Sequence, residues 1–160
     1  MLQSILQHSI SIAAPRPRVW HAITESEQIK QWWGAEGYAE ITELRTGAPI
    51  KFGTGDSAIF ATIRAVDPPH EFVYEWPPHP RYFSVPFITR YILEEKDGGT
   101  QVTFSESGFE AWPDDEVCRA RFARISGEFR MVLENLKAYL EGRSLPHLFS
   151  SPVEPEEGSA

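Results

Sequence analysis

The sequence predicts an α+β fold in the order strand, two short helices, a run of strands, one long helix. Three observations carry that order. Apolar residues alternate at the amino terminus, a period-two stretch from Tyr38 to Phe104 is broken by turn residues, and apolar residues recur every three or four positions after Pro113. A chain of 160 residues fits one domain, in which roughly 70% of the unfolded chain's surface can be buried on folding.

In the first strand Leu6, Ile10 and Ile12 fall on one side, as half-burial requires. Gln7, His8, Ser9 and Ser11 interrupt the apolar residues and no basic residue precedes them, so the stretch does not read as a secretory signal. "APRPRVWHAIT" follows as a short helix that tolerates Pro17 in its opening turn and carries Val19, Trp20 and Ile23 on one face. A second helix is expected from "TESE", where Thr24 and Glu27 have capping-box spacing and Gly34 is placed to end it. Ile29, Trp32 and Trp33 lie at i, i+3 and i+4, so both tryptophans border one apolar stripe.

Turn residues in "RTGAP", "GTGD", "DPPH", "WPPHPRYFSVP" and "KDGG" divide the next stretch into about six strands with mostly short, antiparallel connections. With the first strand the sheet has seven. Phe72, Tyr74 and Trp76 point one way and Glu71, Val73 and Glu75 the other; Phe87, Thr89, Tyr91 and Leu93 oppose Ile88, Arg90, Ile92 and Glu94. One face is aromatic, and the other, with Arg64, Arg90 and Glu94, is solvated. Val102, Phe104 and Glu106 share a face of the last strand.

From Pro113 to about Glu141, Cys118, Phe122, Ile125, Phe129, Leu133, Leu136 and Leu140 line one stripe of a long amphipathic helix, about 42 Å at 1.5 Å per residue. Asp114, Asp115 and Glu116 favour its positive amino terminus and Gly142 its end. The domain is therefore placed at residues 1–141. Residues 142–160 lack periodicity, contain Pro152, Pro155 and crowded glutamates, and read as a mobile tail, with Leu145, Leu148 and Phe149 as the docking-capable exceptions.

Composition narrows function. The formal charge is −8 with no basic run, which argues against nucleic acid. No apolar run approaches the roughly 20 residues that cross a bilayer, so no membrane span is expected. The single cysteine, Cys118, cannot form an internal disulfide, which suits the cytoplasm. His8, His21, His70, His79 and His147 form no ligand pair, and neither a metal nor a cofactor is expected. "GTGDSA" lies between strands and reads as a turn, "SESG" is not a nucleophile elbow, and Cys118 reads as a buried, inert thiol. Glu106 has two readings. If Val102 and Phe104 face the long helix, its carboxylate points inward as a ligand contact or acid/base group; otherwise it ends a strand and reaches water or caps the next turn.

The segments "APRPRVWHAIT", "IKQWW", "AVDPPHEFVYEW", "GGTQVTFSESGF" and "LENLKAYLE" together make the chain, over about residues 5 to 141, resemble the START-like or SRPBCC superfamily. Within it the chain is similar to the Aha-type domains, named for the activator of the heat-shock protein ninety ATPase. The resemblance implies a helix-grip fold, as in Bet v-like proteins: a curved sheet around the carboxy-terminal helix with a cavity between them. Trp33, Tyr74, Trp76, Thr89, Tyr91, Phe104, Glu106, Phe122 and Phe129 are then the candidate ligand-binding set, for which an ordinary filled core is the alternative. Trp32 is read as core and Trp33 as nearer the cavity rim, where Gly34 and Gly37 would let the following loop move. One departure stands out. Where many relatives have Gly-Trp in the last helix this chain has Glu128 and Phe129 preceded by Gly127, and an interior helix glycine costs about 0.5 to 1 kcal/mol unless something approaches its backbone.

Three functions follow. The leading one binds a small hydrophobic or amphipathic molecule in the cavity. The second is a chaperone-associated interaction module, implied by the family name. The third is a cofactor-free cyclase or dehydratase with Glu106 as its only candidate catalytic group. Apolar area at Phe60 and Ile92 on the outer face would allow a homodimer.

Overall fold

The computed structural model describes residues 5–33, 39–53, 55–78 and 86–148. β1 (Ile5–Ile12) buries Leu6 and Ile12, and α1 (Arg16–Thr24) carries Pro17 in its first turn and buries Val19, Trp20, Ala22 and Ile23. α2 (Ser26–Trp32) follows after one residue. The expected capping box does not form. Thr24 closes α1 instead: its backbone is still helical, so its hydroxyl points back and donates to the Trp20 carbonyl at 2.7 Å. Glu25 separates the helices without a side-chain cap, and the Ser26 hydroxyl ties α2 to the sheet by accepting from the Ile41 amide at 2.7 Å. Gly34, expected to end α2, and Gly37 lie outside the described residues.

The strands are β2 (Ala39–Glu40), β3 (Pro49–Phe52), β4 (Ile59–Asp67), β5 (Glu71–Glu75), β6 (Ile88–Lys96) and β7 (Gly99–Ser107). With β1 they form one curved antiparallel sheet in the order β1-β7-β6-β5-β4-β3-β2. The strand number matches the sequence expectation because each break contains residues that turn the chain. Beyond β7, Gly108 has φ 123°, and a side-chain carbon there would lie 2.8 Å from the Phe87 ring. Only glycine lets the chain pass Phe87 into a single 3₁₀ turn, Phe109–Ala111.

α3 (Glu116–Leu140) begins three residues after Pro113, because Asp115 supplies the cap: its carboxylate accepts from the Cys118 amide at 2.8 Å. Gly142, at φ 73°, ends it, with Gly142 N–H donating to the Tyr139 carbonyl and Arg143 N–H to that of Ala138. Ile125, Val132, Leu133, Leu136 and Leu140 are buried against the sheet, while Phe122 and Phe129 are half-buried. Cys118, expected to be buried, is half-buried near the exposed helix start. Burial first, and Asp115 second, push its thiol above the usual range, so it is not an activated nucleophile.

α3 crosses onto β1 and is fastened along it. His8 Nε2 contacts the Ser126 carbonyl at 2.8 Å and its hydroxyl at 3.0 Å, and the Ala13 amide donates to Glu141 Oε2 at 2.9 Å. Past Gly142 the described chain returns to α3. Asn135, fully buried on α3, donates to the His147 carbonyl at 2.7 Å and accepts from the His147 amide at 3.0 Å, and Leu145 packs on the core. Residues 149–160 lie outside the described residues. On the outer sheet face Arg64 pairs with Glu75 at 2.7 Å and Arg90 with Glu71 at 3.1 Å, while Glu94 is exposed. Phe60 is 55% exposed there, but Ile92 is half-buried. No helix among the described residues is long and apolar enough to cross a membrane.

Candidate functional site

The inward face of the sheet carries a polar row between apolar rows. Strand register sets Ile63 on β4 opposite Tyr74 on β5, Tyr74 opposite Thr89 on β6, Thr89 opposite Glu106 on β7, and Glu106 opposite Leu6 on β1. The next row on that face reads Phe72, Tyr91, Phe104 and His8. Because side chains alternate with period two, the placement of Phe104 inward forces Glu106 inward as well. Glu106 accordingly points inward and is only 7% exposed.

Its contacts form a directed chain. Trp76 Nε1–H donates to Thr89 Oγ1 at 2.9 Å, and the Thr89 hydroxyl donates to Glu106 Oε2 at 2.9 Å. No described residue donates to Oε1, and no described cation acts on the carboxyl. Burial pushes Glu106 up to about 7, with the Thr89 hydrogen bond pulling the other way, so near neutrality it is poised between acid and carboxylate. Burial likewise raises the phenols of Tyr74 and Tyr91, and the nearby Glu106 charge adds to both shifts. Both phenols stay protonated.

Aromatic rings cover this row. Phe52 lies 4.2 Å from Trp76 and 5.6 Å from Tyr74 between ring centres, and Tyr91 meets Phe104 edge-on at 5.2 Å. From α3, Phe129 stacks on Phe104 at 4.7 Å and 28°. Phe122 goes elsewhere. It packs edge-on against Phe109 at 4.8 Å, in a second cluster with Phe87 and Trp112. Of the nine candidate residues the structure therefore gathers Tyr74, Trp76, Thr89, Tyr91, Phe104, Glu106 and Phe129 around the polar row, while Phe122 stands apart.

Trp33 joins from the position that follows α2. With Ile29, Phe52, Phe72, Tyr74 and Tyr91 it lines a cavity of about 10 Å³, close to the space of one water molecule. Trp33 is 6% exposed, and among the described residues its Nε1–H has no hydrogen-bond partner. Trp32 is 1% exposed and its Nε1–H donates to the Ala22 carbonyl at 2.8 Å. The adjacent tryptophans thus differ in satisfaction, not in burial. Phe52 was not among the sequence candidates, because a four-residue strand gives too few alternations to fix its phase.

A larger concavity of about 330 Å³ lies between the start of α1 and the β6–β7 turn, but its lining of Pro15, Arg16, Glu95, Lys96 and Asp97 mixes signs and has no aromatic wall. Arg16 pairs with Glu95 at 3.2 Å. Glu106 and Thr89 line neither concavity; Tyr74 and Tyr91, their neighbours on the sheet face, line the smaller one. Among the described residues no three His, Cys, Asp or Glu side chains are placed to hold a metal ion.

A curved sheet of seven strands gripping one long helix, with a polar row beneath aromatic rings, defines a START-like, SRPBCC-type helix-grip protein. The chain belongs to the family described as Activator of Hsp90 ATPase homolog 1-like protein, which matches residues 13–141. Solved structures agree on the fold. The Aha1 dimer from Colwellia psychrerythraea is 20% identical with a TM-score of 0.70, covering 87% of this chain and 97% of that one. A protein from Staphylococcus saprophyticus is also 20% identical at 0.70, covering 94% and 99%. One from Mesorhizobium loti is 18% identical at 0.69, covering 88% and 99%. No curated protein matched in sequence.

Proposed function

We propose that the chain binds a small hydrophobic or amphipathic molecule against the inward sheet face. Trp33, Tyr74, Trp76, Tyr91, Phe104 and Phe129 form the walls, and Glu106 with Thr89 forms the polar anchor. One observation carries this reading: a carboxyl buried among aromatic side chains that, among the described residues, has one oxygen without a donor and no cation to neutralise it. Such a group costs stability when ionised, and a filled structural core has no use for it. A ligand polar group that completes its hydrogen bonding turns that cost into recognition.

The cavity of about 10 Å³ holds no ligand of that size, so binding separates Trp33, at the end of α2, from the wall made by Phe52, Phe72 and Tyr74. Trp33 is suited to moving, because its N–H has no hydrogen bond to a described residue to lose. Thermal-shift screening against fatty acids, alcohols, amines and planar aromatic compounds tests the proposal. A stabilising compound whose effect is lost in Tyr91→Ala and Trp33→Ala supports it. If no compound shifts unfolding, and a crystal structure retains a cavity no larger than one water, the reading is withdrawn.

A further inference from the structure

We infer that the molecule selected by this site carries a protonated nitrogen, an apolar amine for which Glu106 is the counter-ion; the inference rests on the ligand-binding proposal above. Three features of the site point to a cation over a neutral or acidic head group.

The first is an unmet charge. Leu6 faces Glu106 from β1, and Thr89 and Tyr91 approach from β6 and Tyr74 from β5. None of these supplies positive charge. His8, the nearest titratable residue along β1, is committed to Ser126, and Arg124 and Glu128 on α3 pair with each other at 3.0 Å. The second is the wall. Trp76, Phe52 and Tyr74 cluster with ring centres 4.2 to 5.9 Å apart, and aromatic faces attract a desolvated cation, tryptophan most strongly. A carboxylate ligand would instead meet both the negative ring faces and Glu106. The third is the field of the whole chain, whose formal charge of −8 draws cations and repels anions.

The chemistry balances as an exchange of protons with the buffer. An ammonium group that enters beside the protonated Glu106 carboxyl displaces its proton to solvent and leaves an ammonium–carboxylate pair; a neutral alcohol accepts or donates a hydrogen bond and releases nothing. Selectivity and proton release therefore arise together.

The test is calorimetric titration of the full chain with octylamine, 1-octanol and octanoate at about pH 6, below the Glu106 midpoint, in two buffers of different ionisation enthalpy. Octylamine is expected to bind about tenfold or more tightly than the other two and to release most of a proton per molecule bound. In Glu106→Gln the amine advantage falls below about threefold and proton release disappears, while octanol binding stays. The proton count on the unsubstituted protein stands whether or not the variant folds. Octanol or octanoate binding as tightly as octylamine overturns the amine inference and leaves the ligand-binding proposal intact. An amine preference that survives Glu106→Gln assigns the cation to the acidic surface and also overturns it. If none of the three binds, the amine inference is overturned, and the ligand-binding proposal falls with it only if the thermal-shift screen also finds no stabilising compound.

Discussion

At Glu106 a single carboxyl links stability to pH. Its value in the fold is raised by burial from 4.5 to about 7, so the folded chain holds a proton that the unfolded chain has already lost between those limits. Stability from this group is full below about pH 4.5 and is lost as pH rises through about 7, a change of about 3 kcal/mol. Glu106→Gln removes the titration. The variant is expected to gain on the unsubstituted protein between about pH 5 and 7 in thermal melts and to hold a constant advantage above that; parallel curves throughout would show that the carboxyl is solvated after all. The two tryptophans give a second residue-scale prediction. Trp32→Phe strands the buried Ala22 carbonyl and should cost about 1 to 3 kcal/mol, whereas Trp33→Phe deletes an unsatisfied donor and should cost less than 1 kcal/mol. Urea midpoints for the pair check this, and equal losses would refute the difference.

Among the elements, α3 shows best what a sequence discloses. Its apolar stripe was legible because packing imposes a strict spacing over 25 residues, and Leu133, Leu136 and Leu140 lie buried where that spacing puts them. Its start was less legible, since Pro113, Asp114 and Asp115 all suit a helix entrance and only the bond to the Cys118 amide picks Asp115. Thr24 was misread for a related reason: capping spacing is local, but whether the hydroxyl reaches forward or back depends on where the previous helix stops. The inward turn of Glu106 was legible as alternation; its burial was not, because that depends on helix and strands distant in sequence. Gly127 supplies the prediction at this scale. A side-chain carbon added there meets nothing within 4 Å, so no close approach among the described residues explains the glycine. Gly127→Ala is expected to stabilise the chain by about 0.5 to 1 kcal/mol, read as a higher urea midpoint at unchanged slope. A loss would mean that α3 needs to bend at this point, beside the His8–Ser126 contact.

For the whole molecule, the question is where the folded unit ends. Periodicity stops at Gly142, and the polar segment after it reads as a tail, yet Asn135 on α3 is fully buried and takes both of its hydrogen bonds from the backbone of His147. The carboxamide therefore needs the returning chain and not the imidazole. His147→Ala keeps both bonds, loses only the 2.7 Å contact with Glu134, and should cost less than about 1 kcal/mol. Truncation after Gly142 removes both bonds and the packing of Leu145 on the core, and is expected to cost about 2 to 4 kcal/mol. The contrast between the two variants is the informative quantity, because a generally fragile carboxy terminus would penalise both. If the truncated chain unfolds at the same urea concentration as the full chain, α3 closes the domain by itself and residues 143–147 are dispensable. If it is destabilised as expected, the helix that grips the sheet is held through Asn135 by the chain that follows it. Removing that segment should then also loosen α3 over Phe104, which quenching of the tryptophan fluorescence by acrylamide would report.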